Sequence, residues 1–271
     1  MAEFLFLDDE PLDEKLPLRS LLYAEGVFET FRWKGSPPVF INKHLGRMKR
    51  GAELIGIPFP GEKPLKDAIE RAVDRSKIAD AHVKLCLISS GPLKFYERAD
   101  GGHVLVFVKK YNPPKEYMRG HVGPFKRLSS SPLLSIKSLN YLENVIARRE
   151  AEGRGYDEAI FLNERGEATE GSATNIFWVK DGVLHTPSVE CGLLPGITRE
   201  ALISVAPELG FEVKEGRFGI NDVITSQGAF LTNSLVGIAA LTEIDKAGII
   251  VDGELFAKLR NSLFQKLGWI S

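Results

Sequence analysis

Apolar residues in the first hundred positions follow two different periods. GVFETFRWKG followed by PPVFINKH reads as two strands joined at a Gly-Ser-Pro-Pro turn. HLGRMKRGAELIGI brings Leu45, Met48, Ala52 and Ile55 close to helical spacing. PLKDAIERAVDRSKI opens with proline near its first turn and lines Leu65, Ala68, Ile69 and Val73 along one face, which predicts a second helix. AHVKLCLIS and HVLVFVKKY are rich in branched residues and predict strands.

Beyond Tyr111 the pattern breaks. NPPKEYMRG carries two prolines, which disfavour helix and strand and suit a connection between domains. Strand-like HVGPFKRL and a Ser-rich turn follow, then a helix over LNYLENVIARREAEG. DEAIFLN and TNIFWV read as strands, with a hairpin through Lys180-Asp181-Gly182. A helix starts near Thr198, and FLTNS is a strand after it. The expected organisation is two α/β domains, over residues 1–111 and 121–271, with residues 112–120 as the linker.

Composition removes several classes of function. A chain of 271 residues, 44% hydrophobic, builds a sizeable core. A net charge of -1 gives no basic field for nucleic acid or an anionic membrane. The acidic opening MAEFLFLDDEPLDEK lacks the features of a secretory signal, and no stretch approaches the roughly 20 apolar residues of a membrane span. Two cysteines, Cys86 and Cys191, argue against a disulfide framework. Five scattered histidines lack the pairing of a zinc site, so no metal is expected. The expectation is a soluble, cytoplasmic protein.

Several residues carry candidate chemistry, each with a plainer reading beside it. Lys137, in LLSIKSLNYLENV, has apolar neighbours Leu133, Leu134, Ile136 and Leu139 and precedes a helix. Burial and the helix N-terminus both favour a neutral, nucleophilic amine, whereas a snorkelling stem is the simpler reading of this segment alone. Glu170, before a buried-looking strand, suits a protonated ring nitrogen or equally a turn that bonds nearby amides. The bend in LLPGITRE opens a helix whose free amides attract anions, with Thr198 supplying a hydroxyl and an amide, although a plain cap is the simpler reading of Thr198. Arg47 is a phosphate clamp or a solvated helix charge. Thr232, Asn233 and Ser234 bond a second phosphate edge or make a turn.

The order of these segments is more specific than any one of them. YAEGVFETFR, HLGRMKR, IKSLNYLENVIARREA, EATEGSATNIFWVKDG, LLPGITRE and FLTNSLVGIAAL, from about Tyr23 to Asp245, together resemble the fold-type IV pyridoxal-phosphate enzymes, the class IV aminotransferases. That family includes D-amino acid aminotransferases, branched-chain aminotransferases and aminodeoxychorismate lyases. The resemblance implies a small α/β domain followed by a larger pseudo-barrel domain, with pyridoxal 5′-phosphate in the cleft between them and a homodimer partner closing each site. By position, Lys137 resembles the Schiff-base lysine and proton shuttle, and Glu170 the partner of the pyridine nitrogen. Arg47, the amides of Ile197 and Thr198, and Ser234 with Asn233 resemble the phosphate cup. Tyr141 resembles the tyrosine that bonds the cofactor's phenolic oxygen. The implied chemistry is ping-pong transamination of amino and keto acids.

Substrate choice departs from the family patterns. Phe28 stands where the D-amino acid enzymes have tyrosine, and SSGPLKFYERADG lacks their Arg-x-His arrangement. Phe28 and Tyr23 resemble pocket residues of the branched-chain enzymes, whereas TNSLVGI is more like the lyases, where the same lysine drives loss of pyruvate. A carboxylate entering a partly apolar cleft needs a cation, and Lys94, Arg98 or Arg32 is expected to supply it. Three functions follow: an aminotransferase with a D-amino or branched-chain donor, an aminodeoxychorismate lyase, and a non-catalytic cofactor-binding dimer. The intact Lys137 and Glu170 argue against the third.

Overall fold

Strict alternation in GVFETFRWK gives a strand with two unlike faces, and this strand organises the first half of the chain. The structure is a computed structural model describing residues 6–7, 10–11 and 18–270; most of the acidic opening segment lies outside the described residues. A short pair, β1 (Phe6–Leu7) and β2 (Glu10–Pro11), precedes α1 (Leu18–Tyr23). Strand β3 (Gly26–Lys34) is followed by helices α2 (Ile41–Ile55) and α3 (Glu62–Ser76), then strands β4 (Asp80–Ser90) and β5 (Gly101–Lys110). The three strands form an antiparallel sheet in the order β3-β4-β5. Val27, Phe31 and Trp33 share one core with Val83, Leu85 and Leu87 of β4 and with Leu45, Met48, Leu65 and Ile69 of the two helices. The opposite face carries the rows Phe28–Cys86–Leu105, Thr30–Lys84–Phe107 and Arg32–His82–Lys109.

The expected strand PPVF is absent. Pro37 and Pro38 offer no N–H to a ladder. Instead the Pro38 carbonyl accepts a bond from Ile41 N–H as α2 begins.

The second half contains β6 (Tyr117–Val122), α4 (Leu142–Gly153), β7 (Glu158–Leu162), β8 (Ala168–Gly171), β9 (Asn175–Lys180) and β10 (Val183–Pro187). After these come α5 (Ile197–Val205), β11 (Glu212–Gly216), α6 (Ile220–Ile224), β12 (Gly228–Asn233), β13 (Gly237–Ile244), β14 (Ala247–Gly248) and α7 (Gly253–Lys266). β9-β12-β13-β6-β7-β8 closes on itself through a β8–β9 pairing, giving a six-stranded barrel that β10 and β11 extend. Phe177, Val179, Phe230 and Ala240 pack against Leu202 and Val205 of α5 and Phe256, Leu259 and Leu263 of α7. The fold is the mixed α/β arrangement expected, a small sheet followed by a barrel. The turn at Asp181-Gly182 has φ of 51° and 76°, the two positive angles a two-residue hairpin with right-handed strand twist demands.

Tyr117–Gly120 corrects the reading of NPPKEYMRG as structureless. These residues pair in parallel with β13, an arrangement set by a distant partner that local composition does not record. No described helix is long and apolar enough to cross a membrane.

Leu85 is fully buried at the centre of the small sheet. Leu85→Ala is expected to lower unfolding free energy by about 2–5 kcal/mol, read from the urea midpoint at unchanged slope.

Candidate active site

A cavity of about 390 Å³ is lined from both sheets: Phe28, Thr30 and Lys84 from the small sheet, and Glu170, Thr198 and Ser234 from the barrel half. Lys137 and Tyr141 come from the segment between them. That segment is bonded to β3. Phe28 N–H donates to the Lys137 carbonyl at 2.8 Å and Leu139 N–H to the Gly26 carbonyl at 2.9 Å. α4 begins only at Leu142, so Lys137 does not sit at a helix N-terminus as its sequence suggested; its stretch is extended because β3 pairs with it. The amine lies 4.6 Å from the Phe28 ring centre and 5.6 Å from that of Tyr141. Loss of water, then repulsion from Arg47, pushes Lys137 down to about 8 against the pull of Glu29 and Glu170.

Arg47 is no solvated helix charge, being 6% exposed. Its Nε and Nη2 donate to the two oxygens of Glu29 at 2.8 and 2.7 Å, and its Nη1 to the Pro195 carbonyl at 3.1 Å. Glu29 also bonds His44 Nδ1 at 2.6 Å. Burial pushes Glu29 up, but Arg47 and His44 together outweigh it and hold the carboxyl at about 2. Burial lowers His44, so the neutral ring donates its Nδ1–H to the carboxylate. A guanidinium has five N–H donors, so further donors remain to Arg47 for a ligand.

The start of α5 faces the same space. No side chain caps Gly196, and Thr198 Oγ1 lies 3.4 Å from Ser234 Oγ. A Cβ at Gly196 would lie 2.0 Å from Asn175 Oδ1, so the bend passes this side chain only as glycine. Thr232 Oγ1 is buried without a partner. Asn233 lines the cavity, and its side chain also bonds the turn: it donates to the Ala173 carbonyl and accepts from Leu235 and Val236 N–H. One N–H of its side-chain amide remains for a ligand.

Glu170 sits on β8. One oxygen accepts from Arg127 Nη1 at 2.7 Å; the other accepts from Leu194 N–H at 3.1 Å and Asn175 Nδ2 at 3.4 Å. Burial pushes its carboxyl up, with Arg127 opposing. Tyr141 lies edge-on to Phe28 at 5.4 Å, and its hydroxyl donates to the Ser172 carbonyl at 2.8 Å. Burial, then the charges of Glu170 and Glu158, raise this phenol, so it keeps its proton.

The three cations expected to trap a carboxylate do not line this cavity. Arg32 is paired with Asp80 at 2.8 and 2.6 Å and lies over Tyr111 and Trp269. Lys94 is exposed beside Glu97, and Arg98 is exposed. Tyr23 donates to the Leu93 carbonyl, and neither it nor these three cations lines the cavity. Lys84 and His82 do, because alternation along β4 turns them to the open face of the sheet. Burial, then Lys109 and Lys84, lowers His82.

The sequence reading missed Glu29, Arg127 and Lys84. Glu29 had a signal, since alternation with Val27 and Phe31 put a carboxylate on the apolar face. Arg127, in FKRLSS, had none. Among the described residues, no cluster of His, Cys, Asp and Glu is arranged to hold a metal.

The model of the amino-transferase class IV family matches residues 26–244. An aminodeoxychorismate lyase of Bacillus subtilis is 31% identical over 83% of this chain and 79% of that protein. A putative branched-chain-amino-acid aminotransferase of Methanocaldococcus jannaschii is 30% identical over 96% of this chain and 92% of that protein. Among solved structures, a T.th. branched-chain amino acid aminotransferase with pyridoxamine 5′-phosphate superposes with a TM-score of 0.85 at 25% identity, covering 93% of this chain and 88% of that one. The chain belongs to the class IV aminotransferases, a family of enzymes that use pyridoxal phosphate.

Proposed function

We propose that this enzyme is an aminotransferase moving an amino group between an amino acid, D-amino or branched-chain, and a 2-oxo acid, with Lys137 carrying the cofactor. The observation behind this reading is the Lys137 amine, lowered to about 8, in a cavity that also holds Arg47 and Glu170. The residues fit pyridoxal phosphate. Arg47, the uncapped amides of Ile197 and Thr198, Ser234 and the unpartnered hydroxyl of Thr232 suit a phosphate. Glu170 suits a protonated ring nitrogen, and Tyr141, whose hydroxyl is already donating, suits a phenolic oxygen only by exchanging that bond.

When bound, the cofactor supplies an electron-withdrawing ring that spreads negative charge from the substrate α-carbon. Once the substrate amine has taken its place on the cofactor, Lys137 Nζ would be free to take the α-proton and to deliver a proton to the cofactor carbon instead. Tyr141 and Phe28 flank the amine with apolar surface that excludes water. Lys84, with His82 beside it, holds a substrate carboxylate; among the described residues it has no carboxylate at ion-pair distance. A second reading, a lyase acting on aminodeoxychorismate, is favoured by the 31% identity to the aminodeoxychorismate lyase of Bacillus subtilis. We further infer a homodimer: Leu105 and Phe107 stand 54% and 51% exposed on one face of β5, an apolar surface suited to a second copy.

Absorption spectra of the holoenzyme with D-alanine, D-glutamate, L-leucine or L-glutamate test the reaction. Bleaching by one donor and recovery with a keto acid is the expected result; indifference to all four, with p-aminobenzoate formed from aminodeoxychorismate, establishes the lyase instead. The amine of Lys137 is neutral above about 8, so cofactor uptake by the apoprotein is expected to quicken as pH rises through that value. Lys137→Ala should abolish the covalent absorption band and lower kcat about 10²–10⁴-fold. Lys84→Ala should raise KM by about 10–100-fold with kcat little changed, the worth of one charged hydrogen bond, in steady-state assays.

A further inference from the structure

Glu170 is surrounded by donors. Arg127 Nη1, Leu194 N–H and Asn175 Nδ2 occupy its oxygens, and Asn175 is oriented by a second bond from the same nitrogen to the Leu194 carbonyl at 2.9 Å. A carboxylate offers about four acceptor sites, so one remains for a ligand. Two arrangements put the same proton between that site and a ring nitrogen: a carboxylate facing a protonated ring, or a carboxylic acid facing a neutral one. Hydrogen bonds from donors, and above all a fixed positive charge, favour the first.

Arg127 is built to supply that charge. It is 3% exposed, its guanidinium lies 3.5 Å from the centre of the Phe161 ring, and its backbone is bonded to Leu162 and Glu164. Its other acidic neighbour, Glu143, is 3.7 Å from Nε and 63% exposed, where water screens most of the attraction. A buried ion pair adds little stability over apolar packing, so stability alone gives Arg127 no reason to be an arginine.

We propose that Arg127 is a positioning residue that holds Glu170 as a carboxylate, so that the shared proton resides on the ring nitrogen of the cofactor. This rests on the reading of Glu170 as the nitrogen's partner. Burial pushes Glu170 toward the neutral acid, and among the influences opposing it the charge of Arg127 is the largest.

The test compares Arg127→Gln and Arg127→Lys holoenzymes by pH titration of the bound cofactor's absorption and by kcat and KM separately. Losing a charge partner moves a carboxylate by about 1–3 pH units, so Arg127→Gln is expected to lower kcat about 10-fold or more with KM nearly unchanged. Removing a cation favours protonation of the groups facing it, so the absorption midpoint should rise, and Arg127→Lys should restore most of both losses. Wild-type kcat and midpoint in Arg127→Gln would overturn the proposal, as would Arg127→Lys no better than Arg127→Gln. If Arg127→Gln does not load, Arg127→Lys combined with Glu170→Gln decides: non-additive losses support the proposal and additive ones overturn it. A wild-type protein that takes up no pyridoxal phosphate defeats the reading of Glu170 itself, a separate result.

Discussion

Glu29 places a carboxylate on the apolar face of β3, among Val27, Phe31 and the helices behind them. An unpaired charge there would be costly, and the surroundings answer with Arg47 and His44, both from α2. Removing one partner of such a pair typically costs about 3–5 kcal/mol because the other charge is left buried. The pair also reaches the second half of the chain. Arg47 bonds the Pro195 carbonyl, in the bend that opens α5, and the neighbouring Leu194 amide bonds Glu170. One buried pair thus fixes a helix against a strand and aligns the two ends of the cavity.

The cavity is polarised as a result. Lys84 puts a positive charge on the small-sheet wall, with His82 beside it, whereas the barrel side holds the Glu170 carboxyl bonded to Arg127. The Lys137 amine stands in the field of Arg47, Glu29 and Glu170 at once. Dehydration makes each of these charges felt over longer distances than it would be in water. The position of a proton on any of them therefore depends on the others.

Much of this was legible in the sequence. The helices over HLGRMKRGAELI and PLKDAIERAVDR, the alternating strands and the hairpin at Asp181-Gly182 follow from local spacing and turn chemistry. Lys137, Glu170, Arg47, Thr198 and Ser234, each ambiguous alone, gather around one cavity. What escaped depended on distant partners. Tyr117–Gly120 is a strand only because β13 lies beside it, and the segment of Lys137 is extended only because β3 bonds to it. Lys84 was hidden inside an apolar run, where strand alternation reads as a core and conceals its open face. Arg32 looked free because Asp80, 48 residues away, is invisible as its partner in a linear reading.

The bonds between Gly26–Phe28 and Lys137–Leu139 set a mechanical limit on the enzyme. Because the backbone of Lys137 is stitched to the strand that carries Phe28, the amine and this ring keep their mutual placement whatever the barrel half does. A new specificity would accordingly arise by repainting the walls, along the open face of β4 above all, while the frame that aims the lysine stays as it is.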